Sequence, residues 1–381
     1  MTNPLRELNK LGQSVWYDNL NRELLANGRL RKMVEEDGVS GGTSNPSIFE
    51  KAIASGDVYD DHIRELVARD AGIPAIFDAL TVADVQQSAD VFRPAYDATK
   101  GADGYASLEV PPDLAYDTQA TIDNALRLFK ALDRPNVMIK IPGTQEGLPA
   151  VEQCLSEGLN INITLLFSVD VYEQVARTYI SALEKRAQRG EPVSGIASVA
   201  SFFVSRVDSL TDDKLKAKIE ASGSDVEKAH LHSLTGKAAV ANAKIAYEKY
   251  RQIFSGPRWD ALAAKGARVQ RCLWASTSTK NPGYRDVIYV EELIGPDTVN
   301  TLPQNTLDAF RDHGRAALTL DQGVAEAHDL IRRIESAGIS FKAVTDELQT
   351  QGVKLFCDSF DKAVASIVQK REVLRGAGAR A

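Results

Sequence analysis

An α/β fold, a (β/α)8 TIM barrel with additional helical insertions and C-terminal helices, is the architecture that this sequence predicts. Three observations carry that expectation. Eight segments have the length and apolar content of buried strands. Most are separated by helical sequence. In the middle of the chain, strand–helix–strand–helix–strand follows with short connections, which is how parallel strands are joined. A doubly wound open sheet is the structural rival, and it is disfavoured because no strand is followed by a GxGxxG turn.

The elements follow in order. Residues 14–19, 39–45 and 105–110 are the first three candidate strands. A helix over about 118–132 carries Ile122, Ala125, Phe129 and Leu132 on one face and leads into a buried strand at 136–141. The next helix shows Leu148, Val151 and Leu155 on one side and stops at Gly158. Residues 160–167 form the fifth strand. A helix over 170–189, with Val175, Tyr179, Ile180 and Leu183 aligned, follows it. Residues 194–204, 268–276 and 298–302 complete the set. A minimal barrel takes roughly 250 residues, which leaves about 130. These are expected in helical insertions at about 50–104 and 208–257 and in a helical extension at about 305–374, all within one domain over 1–381. The last residues, 375–381, read as a frayed tail.

Composition excludes several classes of function. The 381 residues carry 52 acidic and 45 basic side chains, a net charge of −7, which disfavours general binding to nucleic acid or an anionic membrane. The three cysteines, Cys154, Cys272 and Cys357, have no CxxC spacing, so neither a disulfide scaffold nor a zinc ribbon is expected. No HExxH, DxDxDG or Cys/His cluster suggests a metal, and no cofactor is expected. No apolar run is long enough to span a bilayer, and the polar start lacks a signal-peptide core, so the expected compartment is the cytoplasm. The oligomeric state is open, a homo-oligomer included.

Strand alternation divides each strand into two faces, and in a barrel the helix-facing one must be apolar. Over 136–141, Val137, Ile139 and Ile141 take that face, leaving Asn136, Met138 and Lys140 inward. Over 160–167, Ile161, Ile163, Leu165 and Phe167 face the helices, with Asn160, Asn162 and Thr164 opposite. The same division turns Glu109, Ser201 and Phe203 inward, places Asp18 on one face with Trp16, and Thr43 with Asn45. Most of the resulting polar set, Asp18, Asn45, Glu109, Lys140, Asn162, Thr164 and Ser201, sits near strand C-termini, where barrel enzymes hold their reactive groups. Any one of them alone reads equally well as a satisfied core polar group. Together, a buried lysine and two acids cost several kcal/mol unless they are paired or used.

A lysine enclosed among apolar groups favours its neutral amine, a nucleophile that condenses with carbonyls to a Schiff base. The iminium is an electron sink, so a neighbouring carbon–carbon bond can break or form without a metal. Asp18 and Glu109 could supply the acid–base steps, and Asn and Thr side chains could fix sugar hydroxyls or a water. A structural ion pair between Lys140 and Glu109 is the alternative. Arg206, after the sixth strand, and Ser276, Ser278 and Lys280, after the seventh, suit a phosphate.

Several segments together resemble the transaldolase family. They are Thr43-Ser44-Asn45-Pro46-Ser47, Ser107-Leu108-Glu109-Val110, Ile139-Lys140-Ile141-Pro142-Gly143-Thr144, the most specific run Asn160 to Ser168, and Ser201-Phe202-Phe203-Val204-Ser205-Arg206. They run in the family's order. The resemblance implies transfer of a three-carbon dihydroxyacetone unit from sedoheptulose 7-phosphate to glyceraldehyde 3-phosphate, in the non-oxidative pentose phosphate pathway. It implies a Schiff base on Lys140, proton exchange by Asp18, and a water managed by Glu109 and Thr164. Asn45 and Asn162 would bind sugar hydroxyls, with Ser201 and Thr43 beside them. Arg206, Ser276 and Lys280 would hold the phosphate. The chain departs from the family at Ala275 to Asn281, which is two residues longer than the usual ASFRN-type run and has Lys where Arg is common, so Ser278 could replace Ser276. An aldolase releasing free dihydroxyacetone shares the lysine, but the apolar Phe203 favours a dry pocket and hence transfer. A barrel that binds sugar phosphates without catalysis is the non-enzymatic reading.

Overall fold

The computed structural model describes residues 3–378. Eight strands close into a barrel in chain order, each paired in parallel with its neighbours: β1 (Gln13–Asp18), β2 (Val39–Thr43), β3 (Ala106–Glu109), β4 (Val137–Pro142), β5 (Ile161–Leu166), β6 (Ser198–Phe203), β7 (Arg271–Ala275) and β8 (Thr298–Leu302). Registers such as Glu109 opposite Lys140, and Lys140 opposite Asn162, bring the inward polar residues of successive strands to one level.

Helices cover the outside. The helices Thr118–Leu132, Gly147–Ser156 and Val169–Gln188 fill the β3–β4, β4–β5 and β5–β6 crossovers. The β2–β3 connection holds Pro46–Ala54, Asp60–Ala68 and Ile73–Ala98. The β6–β7 connection holds Ser205–Ala221, Asp225–His232, Ala238–Ile253 and Pro257–Ala263. After β8 the chain ends in Phe341–Gly378, a helix of 38 residues, about 57 Å long. It packs on the β2–β3 helices and on the C-terminal rim of the barrel. Residues 375–378 continue this helix rather than fraying, and 379–381 lie outside the described residues.

The floor of the barrel, opposite that rim, is plugged by a polar hub. Asp103 accepts hydrogen bonds from Ser14 Oγ (2.5 Å), Ser40 Oγ (2.7 Å) and Trp16 Nε1 (2.8 Å), and Arg271 lies 3.3 Å away. Gly41 is needed here, because a Cβ at that position would come within 2.6 Å of the Trp16 indole. No helix among the described residues is long and apolar enough to cross a membrane.

Two face assignments differ from strand alternation. Asn136 does not face the axis: it donates to the carbonyls of Ala89 and Gly104 (both 2.8 Å), tying a covering helix to the sheet. In β5 the register with β6 shifts between Ile163 and Leu166, and Leu165 takes a left-handed φ of 59°. The alternation therefore breaks after Thr164. Leu165 and Phe167 turn toward Gly352 of the C-terminal helix instead of the outer layer.

Candidate active site

The C-terminal ends of the strands surround a cavity of about 380 Å³. Asp18, Thr43, Asn45, Lys140, Thr164, Ser201, Phe203, Arg206, Ser276, Ser278 and Lys280 all line it, so the structure gathers nearly the whole sequence-derived set around one space. Glu109 and Asn162 are absent from its surface and sit one layer below the wall.

Lys140 is 4% exposed, and its Nζ donates to the Ser44 carbonyl at 3.2 Å. The same nitrogen lies 3.1 Å from Glu109 Oε2, within ion-pair distance but off the line of a hydrogen bond. The immediate surroundings of Lys140 are thus a carboxylate and a carbonyl, not the apolar cage that the sequence suggested. Among the described residues, neither Glu109 oxygen nor the buried Thr164 hydroxyl has a hydrogen-bond partner, which leaves three polar atoms available beside the amine. Burial pushes the Glu109 carboxyl above its ordinary range, against the pull of Lys140.

Asp18 ends β1 and accepts a hydrogen bond from Thr43 Oγ1 at 2.8 Å. Thr43 Oγ1 in turn meets Thr301 Oγ1 at 2.9 Å. Burial raises the Asp18 carboxyl too, more than Lys140, Thr43 and Lys280 lower it. A carboxylate raised in this way is a stronger base than one in water. Asn45 caps the helix Pro46–Ala54, its Oδ1 accepting from Ile48 N at 3.1 Å, so its amide N–H₂ is the part left to face the cavity. Asn162 accepts from Ser201 Oγ at 2.6 Å and donates to Ser107 Oγ at 3.2 Å, and it reaches the cavity through Ser201.

The basic side of the cavity is formed by Arg206, on the first turn of Ser205–Ala221, and Lys280, on the loop after β7. Burial lowers the pKa of both, and the neighbouring Arg206 charge lowers Lys280 further. Two cations facing one space, Arg206 half-buried and Lys280 more exposed, form an anion site. In the lengthened loop, Lys280 Nζ donates to Ser278 Oγ at 2.6 Å. Ser276, at a left-handed φ of 54°, pairs through its hydroxyl with Ser205 Oγ at 3.0 Å. Both serines reach the cavity, and Ser278 is the one coupled to Lys280.

Sequence reasoning missed several cavity residues. Ser47 and Lys51 lie four residues apart on the helix Pro46–Ala54, which begins inside the Thr43–Ser47 motif, and that helical spacing could have found them. Thr301 shares the inward face of β8 but was not singled out. Phe356 comes from the C-terminal helix, its ring centroid 5.8 Å from Lys140 Nζ, and no local pattern marks it. Among the described residues, no group of three or more His, Cys, Asp or Glu could hold a metal ion.

Comparison with known proteins agrees with this geometry. The sequence profile described as transaldolase/fructose-6-phosphate aldolase matches residues 15–367. The chain is 50% identical over 377 residues to transaldolase 2 of Nostoc sp. strain PCC 7120, covering 98% of each chain. It is 49% identical over 376 residues to transaldolase 2 of Nostoc punctiforme, covering 98% of this chain and 99% of the relative. It is 46% identical over 372 residues to the transaldolase of Trichodesmium erythraeum, covering 97% and 98%. The chain belongs to the transaldolase/fructose-6-phosphate aldolase family.

Proposed function

We propose that this chain is a transaldolase acting on sugar phosphates, with residues 1–381 working as one barrel domain. The observation that carries the reading is the buried Lys140 amine, at the C-terminal end of β4, within 3.1 Å of Glu109 and on the same cavity as Asp18.

Lys140 in its neutral form adds to the ketose carbonyl, and loss of water gives an iminium. Glu109 and Thr164 protonate the carbinolamine hydroxyl so that it departs as water, and later deliver the water that hydrolyses the imine. Asp18 takes the proton from the hydroxyl next to the scissile bond. The carbon–carbon bond electrons flow into the iminium, and an aldehyde leaves. The three-carbon enamine then attacks the acceptor aldehyde, and Asp18 returns the proton to the new alkoxide. Ser201, Thr43 and Asn45 hold the hydroxyls of the three-carbon unit, with Asn162 acting through Ser201. Arg206, Lys280 and Ser278, with Ser276 beside them, hold the phosphate. Phe203 and Phe356 exclude water while the enamine waits, which supports transfer over release of free dihydroxyacetone.

The proposed donor is sedoheptulose 7-phosphate and the acceptor glyceraldehyde 3-phosphate, giving erythrose 4-phosphate and fructose 6-phosphate. Product analysis with and without the acceptor tests the reading. Acceptor-dependent formation of both products supports it. Free dihydroxyacetone appearing at the transfer rate would make the chain an aldolase, and ligand binding with no turnover would make it a binding protein.

A further inference from the structure

Two cations of like sign share the phosphate side of the cavity, although they come from different elements. Arg206 opens the helix Ser205–Ala221, and Lys280 sits on the loop after β7. Beyond the Ser205–Ser276 contact at the base of both elements, a pair of tyrosine–aspartate hydrogen bonds joins them. Tyr289 OH donates to Asp208 Oδ2 at 2.7 Å, and Tyr284 OH donates to Asp212 Oδ2 at 2.7 Å. Asp208 and Asp212 are four residues apart and share one face of the helix Ser205–Ala221 that carries Arg206. Tyr284 and Tyr289 lie on the segment that continues from Lys280.

The other oxygen of each carboxylate is also occupied. Asp208 Oδ1 accepts from Ala239 N at 2.7 Å, and Asp212 Oδ1 accepts from Gly236 N at 2.9 Å. Gly236 has a φ of 70°, and a Cβ there would lie 2.6 Å from the Tyr284 ring, so the packing of Tyr284 requires a glycine.

Behind Lys280 these residues enclose a second cavity of about 250 Å³, lined by Asp208, Asp212, Asp213, Tyr284 and Tyr289. Lys280 borders both spaces. In the structure its Nζ is held on Ser278 Oγ, toward the substrate side. Asp208 and Asp212, the two chamber carboxylates whose oxygens are all taken up, would compete with a substrate phosphate for that ammonium if they were released, whereas Asp213 is exposed to solvent.

Resting on the phosphate reading above, we propose that Tyr284 and Tyr289 are positioning residues of the phosphate site. Their hydroxyls satisfy Asp212 and Asp208, lock the helix that carries Arg206 to the Lys280 loop, and keep the Lys280 ammonium facing the substrate rather than those two carboxylates.

The test uses the full chain and two donors, fructose 6-phosphate and fructose, with one acceptor held saturating. In Tyr284→Phe/Tyr289→Phe the rings remain and only the hydroxyls go. KM for fructose 6-phosphate is expected to rise about five- to tenfold, with kcat and the kcat/KM for fructose within about twofold of wild type. Adding Asp208→Asn and Asp212→Asn to that variant removes the competing charges and is expected to restore most of the lost affinity. An unchanged KM overturns the proposal, as does an equal loss with both donors or a loss that the Asn substitutions leave in place. Arg206→Ala and Lys280→Ala separate the two levels. If both keep the preference for the phosphorylated donor, the phosphate reading itself fails. If they lose it while the tyrosine variant keeps it, only the positioning role fails.

Discussion

Lys140 Nζ and Glu109 Oε2 lie 3.1 Å apart in the barrel interior, on adjacent strands and in direct register. A buried pair of this kind is weak evidence for stability, because desolvation of both groups offsets their attraction. Its value lies in chemistry. The carboxylate is raised by burial, keeps free lone pairs, and stands beside the amine that must shed a proton and a water.

Glu109→Gln keeps the shape and removes the proton acceptor. Transfer is expected to fall by about 10²–10⁴-fold. Because Glu109 is assigned to imine formation, the rate of borohydride trapping should fall in parallel. Trapping at the wild-type rate would remove Glu109 from that step.

Asp18→Asn should separate the steps in the other direction. The imine is expected to form and be trapped, while carbon–carbon bond cleavage slows by about 10²–10⁴-fold. Rapid-quench measurement of aldehyde release checks the second half. Loss of trapping in this variant would show that Asp18 acts on the amine and not on the sugar hydroxyl.

The two ends of the barrel should respond to pH with opposite sign. Burial raises the folded pKa of Asp18, so the stabilisation from its protonated form is present at low pH and is lost as pH rises through that pKa. At neutral pH the charged group costs stability, and Asp18→Asn is expected to raise Tm. At the floor, burial opposes the Asp103 charge, but Arg271 and the Ser14, Ser40 and Trp16 hydrogen bonds more than offset it and hold the carboxyl below its ordinary range. Its stabilisation is present above the unfolded-state pKa and is lost as pH falls through the folded one. Asp103→Asn is expected to cost about 3 kcal/mol at neutral pH by leaving Arg271 unpaired, with the deficit shrinking in acid. Urea unfolding of both variants across pH checks the signs.

Phe203 packs against Phe167 with ring centroids 5.1 Å apart, and Phe356 lines the same cavity from the C-terminal helix, which Gln349 pins by donating to the Gly143 carbonyl at 3.0 Å. Phe356→Ala and Phe203→Ala are each expected to raise the ratio of free dihydroxyacetone to transferred product, since both admit water to the enamine. An unchanged ratio in both would assign water exclusion to other groups.

Much of this was legible from strand alternation alone. The gathering of Asp18, Glu109, Lys140 and Ser201 at the C-terminal end of the barrel follows from period-2 patterning and strand order. What alternation could not show is where the backbone leaves it. Leu165 adopts a left-handed φ without being glycine or asparagine, so no residue type announced the break that turns it and Phe167 toward the C-terminal helix. Phe356 lies more than 200 residues from Lys140 on a helix whose apolar pattern serves packing as much as function. Asp103, outside any strand, gathers partners from β1, β2 and β7 that only the closed barrel brings together. A frayed tail is expected over 375–381, yet the 38-residue helix carries 375–378 along.

The most direct measurement is borohydride reduction in the presence of fructose 6-phosphate, followed by peptide mass analysis. A reduced ketose adduct on the peptide containing Lys140, absent from Lys140→Ala while that variant stays folded, is the expected result. Unmodified Lys140 in protein that still performs transfer, or full turnover by Lys140→Ala, would contradict a Schiff base at this position.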